Sequence, residues 1–178
     1  MAESVESDVG HIVLVGLSGT GKSTVAANLA ERLGRPSLDT DRMVERRRGA
    51  TVAEVFAREG EAAFREVESE VLAEVLAGPA SVIATGGGAI LAAENRRLLR
   101  ERATVVWLRA DPDELERRVV ASPESRPLLR DDPAAALRRL AVERDPLYRE
   151  VADLVVDTTA ISRSEVVDVV VEGIGEQR

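Results

Sequence analysis

The sequence contains no cysteine and only one histidine, His11, among its 178 residues. Without cysteine the chain forms no disulfide and no thiolate-bound metal site, and a zinc site built from several histidines is also excluded. Aromatic residues make up 2% of the chain and the net charge is -8, which argues against a nucleic-acid surface of basic patches and stacking rings. No apolar run approaches the roughly 20 residues that a membrane-spanning helix requires. We therefore expect a soluble, cytoplasmic protein that binds neither nucleic acid nor membrane, whereas small anionic ligands stay possible.

Length and composition predict a single folded domain. Hydrophobic residues make up 44% and charged residues 31%, which is typical of soluble globular proteins. A chain of 178 residues can bury a substantial core but is short for two ordinary domains. Residues 1–9 have neither a basic start nor an apolar stretch, so we expect a disordered tail there rather than a signal peptide. The domain then comprises residues 10–178.

Lysine is almost absent as well. Lys22 is the one lysine among the 24 basic residues of the chain. It belongs to the segment GLSGTGKS at residues 16–23, which matches G-x-x-x-x-G-K-[ST]. In that motif backbone N–H groups surround nucleotide phosphates, the lysine reaches the outer phosphates, and the next hydroxyl binds Mg²⁺. The alternative is that a bias towards arginine left one lysine by chance. Chance would have had to leave it in the one motif that requires a compact ammonium group.

Short apolar runs alternate with helical patterns along the chain. The runs predict strands at residues 11–15, 37–39, 81–84, 104–108 and 153–156. Periodicity and capping residues predict helices at residues 23–33, 51–58, 61–76, from 112 to about 120, 133–148 and from 164 onwards. Because strands and helices alternate, we expect a three-layer α/β/α protein with a five-stranded parallel sheet. The glycine-rich motif then joins the first strand to the first helix, the context that phosphate binding requires.

Polar residues follow the predicted second strand, and glycines follow the third. Asp39 and Asp41 flank Thr40, so their carboxylates share one face if the backbone is extended. A capped turn before a helix is the alternative explanation of this pair. Residues 86–88 are three consecutive glycines, which form either a plain flexible turn or a close backbone approach to a small ring.

Three arginines are candidates for binding a ligand, and each also has a simpler structural explanation. Arg65 has glutamates within helical reach on both sides, so a solvated face of ion pairs is the simpler explanation. Arg149 stands near Asp145 and Asp153 in the sequence and allows the same explanation. Arg126 lies in the irregular, proline-containing segment 121–133, which is a candidate for a mobile lid; the alternative is an ordinary solvated arginine.

Six short motifs stand in one order along the chain. They are GLSGTGKS at 16–23, Asp39-Thr40-Asp41, Phe64-Arg65, the glycines at 86–88, Arg126-Pro127-Leu128-Leu129 and Pro146-Leu147-Tyr148-Arg149. In this combination the chain closely resembles shikimate kinases over about residues 10 to 172. The resemblance implies a P-loop NTPase fold with a mobile lid. It also implies transfer of the γ-phosphate of ATP to the 3-hydroxyl of shikimate, with Mg²⁺ as cofactor, by a monomer that serves the biosynthesis of chorismate and aromatic amino acids.

The same resemblance assigns roles to residues of this chain. It implies catalytic roles for Lys22, Asp41 and Arg126, and Mg²⁺ binding by Ser23 and Asp39. For the nucleotide it implies Gly19, Thr20, Gly21, Lys22, Ser23, Thr24, Arg118 and Arg126, with Arg118 against the adenine. For shikimate it implies Asp41, Arg65, Gly87, Gly88 and Arg149, with the two arginines on the carboxylate. The acceptor-binding region then covers about residues 39–66 and the lid about residues 121–133.

Two other classes of P-loop protein are alternatives. A kinase for gluconate or a nucleoside monophosphate would share Lys22, Ser23 and a lid, but would not need the shikimate-binding set. The second class is a non-catalytic nucleotide switch or an ATPase, and residues 154–157 do imitate a Walker B strand. A GTPase of the usual kind is excluded, because its Asn-Lys-x-Asp motif needs a lysine outside the phosphate loop.

We predict that turnover collapses in the variant Lys22→Arg. A guanidinium keeps the charge, but it is planar and wider than an ammonium group and does not fit the same place between phosphates. Release of ADP, measured with both substrates at saturation, tests this prediction. Near-normal turnover would mean that the single lysine is an accident of composition.

Overall fold

The computed structural model describes residues 10–122, 126–129 and 131–176. Its strands are β1 (His11–Val15), β2 (Ser37–Asp39), β3 (Val82–Ala84), β4 (Ala103–Arg109) and β5 (Leu154–Asp157). Its helices are α1 (Lys22–Leu33), α2 (Thr40–Arg48), α3 (Val52–Leu76), α4 (Ala93–Arg102), α5 (Pro112–Val120), α6 (Pro133–Val151) and α7 (Arg163–Glu176). The strands pair in parallel in the order β2-β3-β1-β4-β5. The tail expected at residues 1–9 and residues 123–125 and 130 of the expected lid lie outside the described residues.

The central strand β1 is buried on both faces of the sheet. Val13 and Val15 pack into a core that also contains Trp107 and residues of α3, α4 and α6. Ile12 and Leu14 point to the opposite face, where they pack with residues of α1 and α7. A strand buried on both faces has to be apolar at every position, which explains the uninterrupted run that predicted it. The expected three-layer α/β/α architecture with five parallel strands is confirmed.

The carboxyl ends of three neighbouring strands bring the predicted polar segments together. β1 runs into the glycine-rich motif, β2 ends at Asp39, and β3 runs towards the glycines at 86–88. Because β3 lies between β1 and β2, these three segments leave the sheet side by side. Open parallel sheets bind their ligands at this kind of edge.

Helix α3 bends where the sequence predicts two separate helices. Gly60 has φ 85° and ψ 169°, and this break joins the predicted helices at 51–58 and 61–76 into one bent helix. The predicted capping box at its start is present, formed by Thr51 and Glu54. Although α3 has 25 residues, neither it nor another helix of the described ranges is long and apolar enough to cross a membrane.

A separate small core holds α2 against α3. Val44 of α2 packs in it with Val55, Phe64, Val67 and Val71 of α3. This packing fixes the two helices relative to each other just beyond the end of β2. It therefore sets the distance between Asp41 on α2 and residues such as Arg65 on α3.

Helix α4 was not predicted from the sequence. Its buried residues are only Asn95, Leu98 and Leu99, which are too few to produce an apolar period. Its position depends partly on polar contacts, since Asn95 Nδ2 donates to the oxygen of Ala89 at 2.8 Å and to Ser69 Oγ at 3.0 Å. These bonds tie the segment after the glycines at 86–88 to α3.

We predict that Gly16→Ala destabilises the fold more than Gly34→Ala. Both glycines have positive φ, 142° at Gly16 and 63° at Gly34, so alanine strains the backbone at either site. A Cβ on Gly16 would also lie 2.2 Å from the backbone oxygen of Leu108, whereas nothing lies within 4 Å of one on Gly34. We expect losses in unfolding free energy of about 2–4 kcal/mol and about 1 kcal/mol respectively. Urea denaturation measures both, and equal losses would contradict the contact with β4.

Candidate active site

The glycine-rich motif forms a tight loop between β1 and α1. Gly16, Gly19 and Gly21 all have positive φ, at 142°, 89° and 88°, which other residues rarely adopt. The Thr20 hydroxyl donates to the backbone oxygen of Leu17 at 2.9 Å and closes the turn. The loop ends at the first turn of α1, so its N–H groups and the positive end of the helix dipole lie together. This is the arrangement in which proteins bind phosphate.

Lys22 lies inside this loop. Its Nζ donates to the backbone oxygens of Gly16 at 2.8 Å and Leu17 at 2.9 Å. Burial lowers the pKa of Lys22 to about 8, although the nearby carboxylates of Asp41 and Asp39 oppose this shift. The ammonium group therefore stays largely charged at neutral pH.

Asp39 connects the phosphate loop to α2. The Ser23 hydroxyl donates to Asp39 Oδ2 at 2.6 Å, and the other oxygen, Oδ1, accepts from the backbone nitrogen of Arg42 at 3.2 Å. Asp39 thus caps α2, as one interpretation of the sequence predicted, and it also lies against Ser23 of the loop. The two oxygens of Ser23 and Asp39 are hard ligands of the kind that Mg²⁺ prefers.

Two carboxylates meet above Gly86. A Cβ on this glycine would lie 2.5 Å from Asp41 Oδ1 and 2.4 Å from Glu68 Oε1. Both oxygens are buried, and neither accepts a hydrogen bond from the described residues. Burial, followed by the charge of Glu68, raises the pKa of Asp41 to about 7, and burial also raises the pKa of Glu68. At neutral pH Asp41 is therefore able both to gain and to lose a proton.

Arg65 is ion-paired and also faces a cavity. Its Nη1 donates to Glu68 Oε2 at 2.7 Å and its Nη2 donates to Glu61 Oε1 at 3.2 Å. Glu68 is only 1% exposed, so this is no ordinary solvated pair. The guanidinium lies flat against Gly88, where a Cβ would stand 2.3 Å from its carbon. Arg65 thus forms the ion pairs that its acidic neighbours predicted, and it also lines the cavity.

The structure does not bring Arg149 to the cavity that the other predicted shikimate-binding residues line. Its side chain is exposed and its guanidinium lies 5.6 Å from the centre of the Trp107 ring, away from the residues that line the cavity. Trp107 itself is fully buried in the core. The motif at 146–149 belongs to α6, and its last residue points to the wrong side of that helix.

Arg144, which sequence analysis missed, lines the cavity instead. It is 4% exposed, its Nη1 lies 3.6 Å from the Cβ position of Gly87, and its Nε makes no hydrogen bond with any described residue. The Tyr148 hydroxyl, one turn later, donates to the oxygen of Gly87 at 2.5 Å. Positions 144 and 149 are about 140° apart around the helix, so they cannot share a face. A signal did exist, because Arg144 occupies a core-facing position of α6 between the apolar residues Leu140 and Tyr148.

The remaining predicted arginines lie near the glycine-rich loop. Arg126 lines the cavity together with the short turn Pro127–Leu129 that follows it. Arg118 on α5 donates to Thr158 Oγ1 at 3.0 Å and to the Thr158 backbone oxygen at 2.7 Å, and it lies 3.4 Å from the oxygen of Gly19. Arg118 is thereby fixed beside the phosphate loop.

These residues surround one cavity of about 970 Å³. Seven of the predicted site residues line it: Ser23, Asp39, Asp41, Arg65, Gly87, Gly88 and Arg126. Glu68, Gly86 and Arg144 line it too, without having been predicted. The predicted residues Gly19, Thr20, Gly21, Lys22, Thr24 and Arg118 lie in or beside the phosphate loop, outside that lining. The cavity thus extends from the phosphate loop to the glycines at 86–88, which we call the glycine floor. Arg65 and Arg144 lie against this floor.

The family model for shikimate kinase matches residues 18–175, nearly the whole described chain. This chain belongs to the shikimate kinase family. As a shikimate kinase it is an ATP-dependent enzyme that phosphorylates shikimate in aromatic amino-acid biosynthesis, as the resemblance of its motifs implied.

Curated shikimate kinases are similar to the chain over most of its length. The shikimate kinase of Symbiobacterium thermophilum is 48% identical over 169 residues, which cover 94% of this chain and 97% of the relative. That of Burkholderia pseudomallei is 47% identical over 161 residues, covering 90% and 87%.

Solved structures of a shikimate kinase and of another small-molecule kinase superimpose on the chain. The shikimate kinase of Acinetobacter baumannii, solved in complex with shikimate, superimposes with a TM-score of 0.92 at 41% identity, covering 96% of each chain. A gluconokinase of Sinorhizobium meliloti reaches a TM-score of 0.59 at 20% identity, covering 94% of this chain and 93% of its own, which shows the shared fold alone.

We predict that Asp41→Asn makes the protein more stable at pH 8 while removing its activity. The folded-state pKa of Asp41, about 7, lies above its ordinary value of 3.8, so the folded protein binds the extra proton between these values. Stability contributed by protonated Asp41 is therefore complete below about pH 4 and is lost as the pH rises towards 7. Asparagine carries no charge, and we expect a gain of about 1–2 kcal/mol at pH 8 that disappears at pH 4. Urea denaturation at both pH values measures this, and a gain independent of pH would contradict it.

Proposed function

We propose that this shikimate kinase performs phosphoryl transfer in the cavity, with ATP on the phosphate loop and shikimate on the glycine floor at 86–88. The observation that carries the proposal is the placement of Arg65 and Arg144 against that floor, with Asp41 beside them. The fold alone does not require two arginines there. A small acceptor with a carboxylate at one end and hydroxyls at the other does.

Arg65 and Arg144 bind the shikimate carboxylate. A planar guanidinium donates two parallel hydrogen bonds to a carboxylate, and two guanidiniums fix its orientation. Arg65 is held in place by Glu68 and Glu61, whereas Arg144 keeps its buried Nε without a described partner. Arg144 takes the role that the sequence motif had suggested for Arg149.

Asp41 accepts the proton of the 3-hydroxyl. As this oxygen forms its bond to the γ-phosphorus, the bond from that phosphorus to the β-phosphate oxygen breaks, and its electrons leave with ADP. The O–H proton passes to the Asp41 carboxylate. A base with a pKa of about 7 suits this role near neutral pH.

The phosphate loop and two arginines bind the nucleotide. Backbone N–H groups of residues 19–24 and the Lys22 ammonium bind the phosphates, as loops with this geometry do. Arg126 stabilises the charge that develops on the transferred group, and Arg118 lies against the adenine. Most of the rate then comes from positioning and from electrostatic stabilisation.

The Ser23 hydroxyl and the Asp39 carboxylate hold Mg²⁺. Their hydrogen bond of 2.6 Å places two oxygen ligands together at the phosphate end of the cavity, a donor set that fits this cation together with water and phosphate oxygens. Bound there, Mg²⁺ neutralises phosphate charge.

The enzyme works as a monomer in the cytoplasm, on small molecules and without nucleic acid or a membrane. Its exposed large apolar residues among the described ranges are valines at four separate positions, 120, 142, 155 and 169. Most stable interfaces contain contiguous apolar patches, whereas these valines stand at separate positions along the chain.

Release of ADP tests the acceptor. The full chain is assayed with ATP and Mg²⁺ against shikimate, quinate, gluconate and nucleoside monophosphates, and without any acceptor. We expect release to depend on shikimate. Equal rates with and without shikimate would overturn the assignment, and a preference for gluconate would support the alternative sugar kinase.

We predict that Arg144→Lys raises the KM for shikimate about tenfold to a hundredfold, whereas Arg149→Lys leaves it within about twofold. A lysine keeps the charge but loses the paired hydrogen bonds, which matters only where the side chain contacts the carboxylate. The KM for ATP serves as the control and stays near the wild-type value in both variants. A larger effect at position 149 would return the carboxylate site to the residue that the motif suggested.

A further inference from the structure

Four arginines on helix α2 divide into two pairs. Arg47 and Arg48 form ion pairs with glutamates of α3, on the far side from the cavity lining. Arg42 and Arg46, one helical turn apart, form no ion pair with any residue of the described ranges. Both are exposed, and both line the cavity that contains the proposed acceptor site. The helix therefore presents two cations without counter-charges at the solvent side of that cavity.

Two glutamates of the same cavity lining form hydrogen bonds with the backbone and form no ion pair with Arg42 or Arg46. Glu45 accepts a hydrogen bond from the backbone nitrogen of Val52 at 3.0 Å, and Glu54 accepts one from that of Thr51 at 2.7 Å. Deeper in the cavity, Glu68 is paired with Arg65, whose Nη1 donates to Glu68 Oε2 at 2.7 Å. The charge of Arg42 and Arg46 is thus available to an ion that approaches from solvent.

We propose that Arg42 and Arg46, the entrance arginines, attract the anionic acceptor to the cavity and so raise its rate of binding. The inference rests on the acceptor site proposed above and concerns shikimate before it reaches Arg65 and Arg144. A chain of net charge -8 repels a carboxylate at long range. Charges act over only about 8 Å at physiological ionic strength, so cations at the mouth of the cavity outweigh acidic residues elsewhere.

Their exposure distinguishes the entrance arginines from the arginines of the site. Arg65 and Arg144 lie against the glycine floor, and Arg144 is 4% exposed, as suits groups that bind through fixed hydrogen bonds. Arg42 and Arg46 extend into solvent, where a long side chain keeps many conformations and a fixed hydrogen bond is costly. An electrostatic role depends on their charge and not on their exact geometry.

The test uses two double variants that lose the same charge from the same helix. Arg42→Gln/Arg46→Gln removes the entrance arginines, and Arg47→Gln/Arg48→Gln is the matched control. We expect the first to lower kcat/KM for shikimate about threefold to tenfold at low ionic strength, with kcat unchanged and with the deficit lost at high salt. The control should stay within about twofold of wild type at every salt concentration, since exposed ion pairs contribute little.

A third variant separates attraction from direct contact. Arg42→Lys/Arg46→Lys keeps both charges, so we expect it to behave as the wild type does. Equal deficits in the two glutamine variants would overturn the proposal, because net charge alone would then explain them. A deficit that persists at high salt, or that lysine does not restore, would overturn it in favour of direct hydrogen bonds. If the proposed acceptor site is itself wrong, the result is distinguishable, because ADP release by the wild type would then not depend on shikimate at all.

Discussion

The acceptor half of the cavity depends on the buried ion pair between Arg65 and Glu68 on α3. Glu68 is 1% exposed, and a carboxylate at such a depth needs a counter-charge in direct contact. One of its oxygens binds Arg65 and so presses the guanidinium against Gly88, while the other meets Asp41 above Gly86. A side chain on either glycine would displace a charged group. The glycine floor, the arginine and the two carboxylates thus contact one another and hold each other in position.

Sequence patterns predicted the parts of this molecule that depend on local chemistry. The strand at 11–15, the glycine-rich loop between that strand and the first helix, and the alternation of strands and helices each follow from short segments, and the structure confirms them. Helix α4 was missed because it is held partly by Asn95, and polar contacts leave no apolar period. The bend at Gly60 was placed correctly but was interpreted as the end of a helix.

The arginines show where reasoning from sequence fails. Arg65 has acidic neighbours on its own helix, so its ion pairs were predictable, but the burial of Glu68 depends on packing against the segment after β3. Arg149 stands in a recognisable motif yet lies against Trp107, whereas Arg144 lies outside the motif and lines the cavity. The direction of a side chain around a helix is fixed by the register of α6 on the sheet. That register becomes visible only when Leu140, Arg144 and Tyr148 are compared as one buried face.

Asp39 has a mechanical consequence beyond its contact with the loop serine. Its two oxygens are bound by groups from different parts of the chain, the hydroxyl of Ser23 on α1 and the backbone nitrogen that begins α2. A displacement of the serine would therefore act directly on the cap of the helix that carries Asp41. Any such coupling acts equally in both directions, so an acceptor that tilts α2 alters the loop by the same free energy. One short carboxylate thus connects the phosphate loop directly to the helix that carries Asp41.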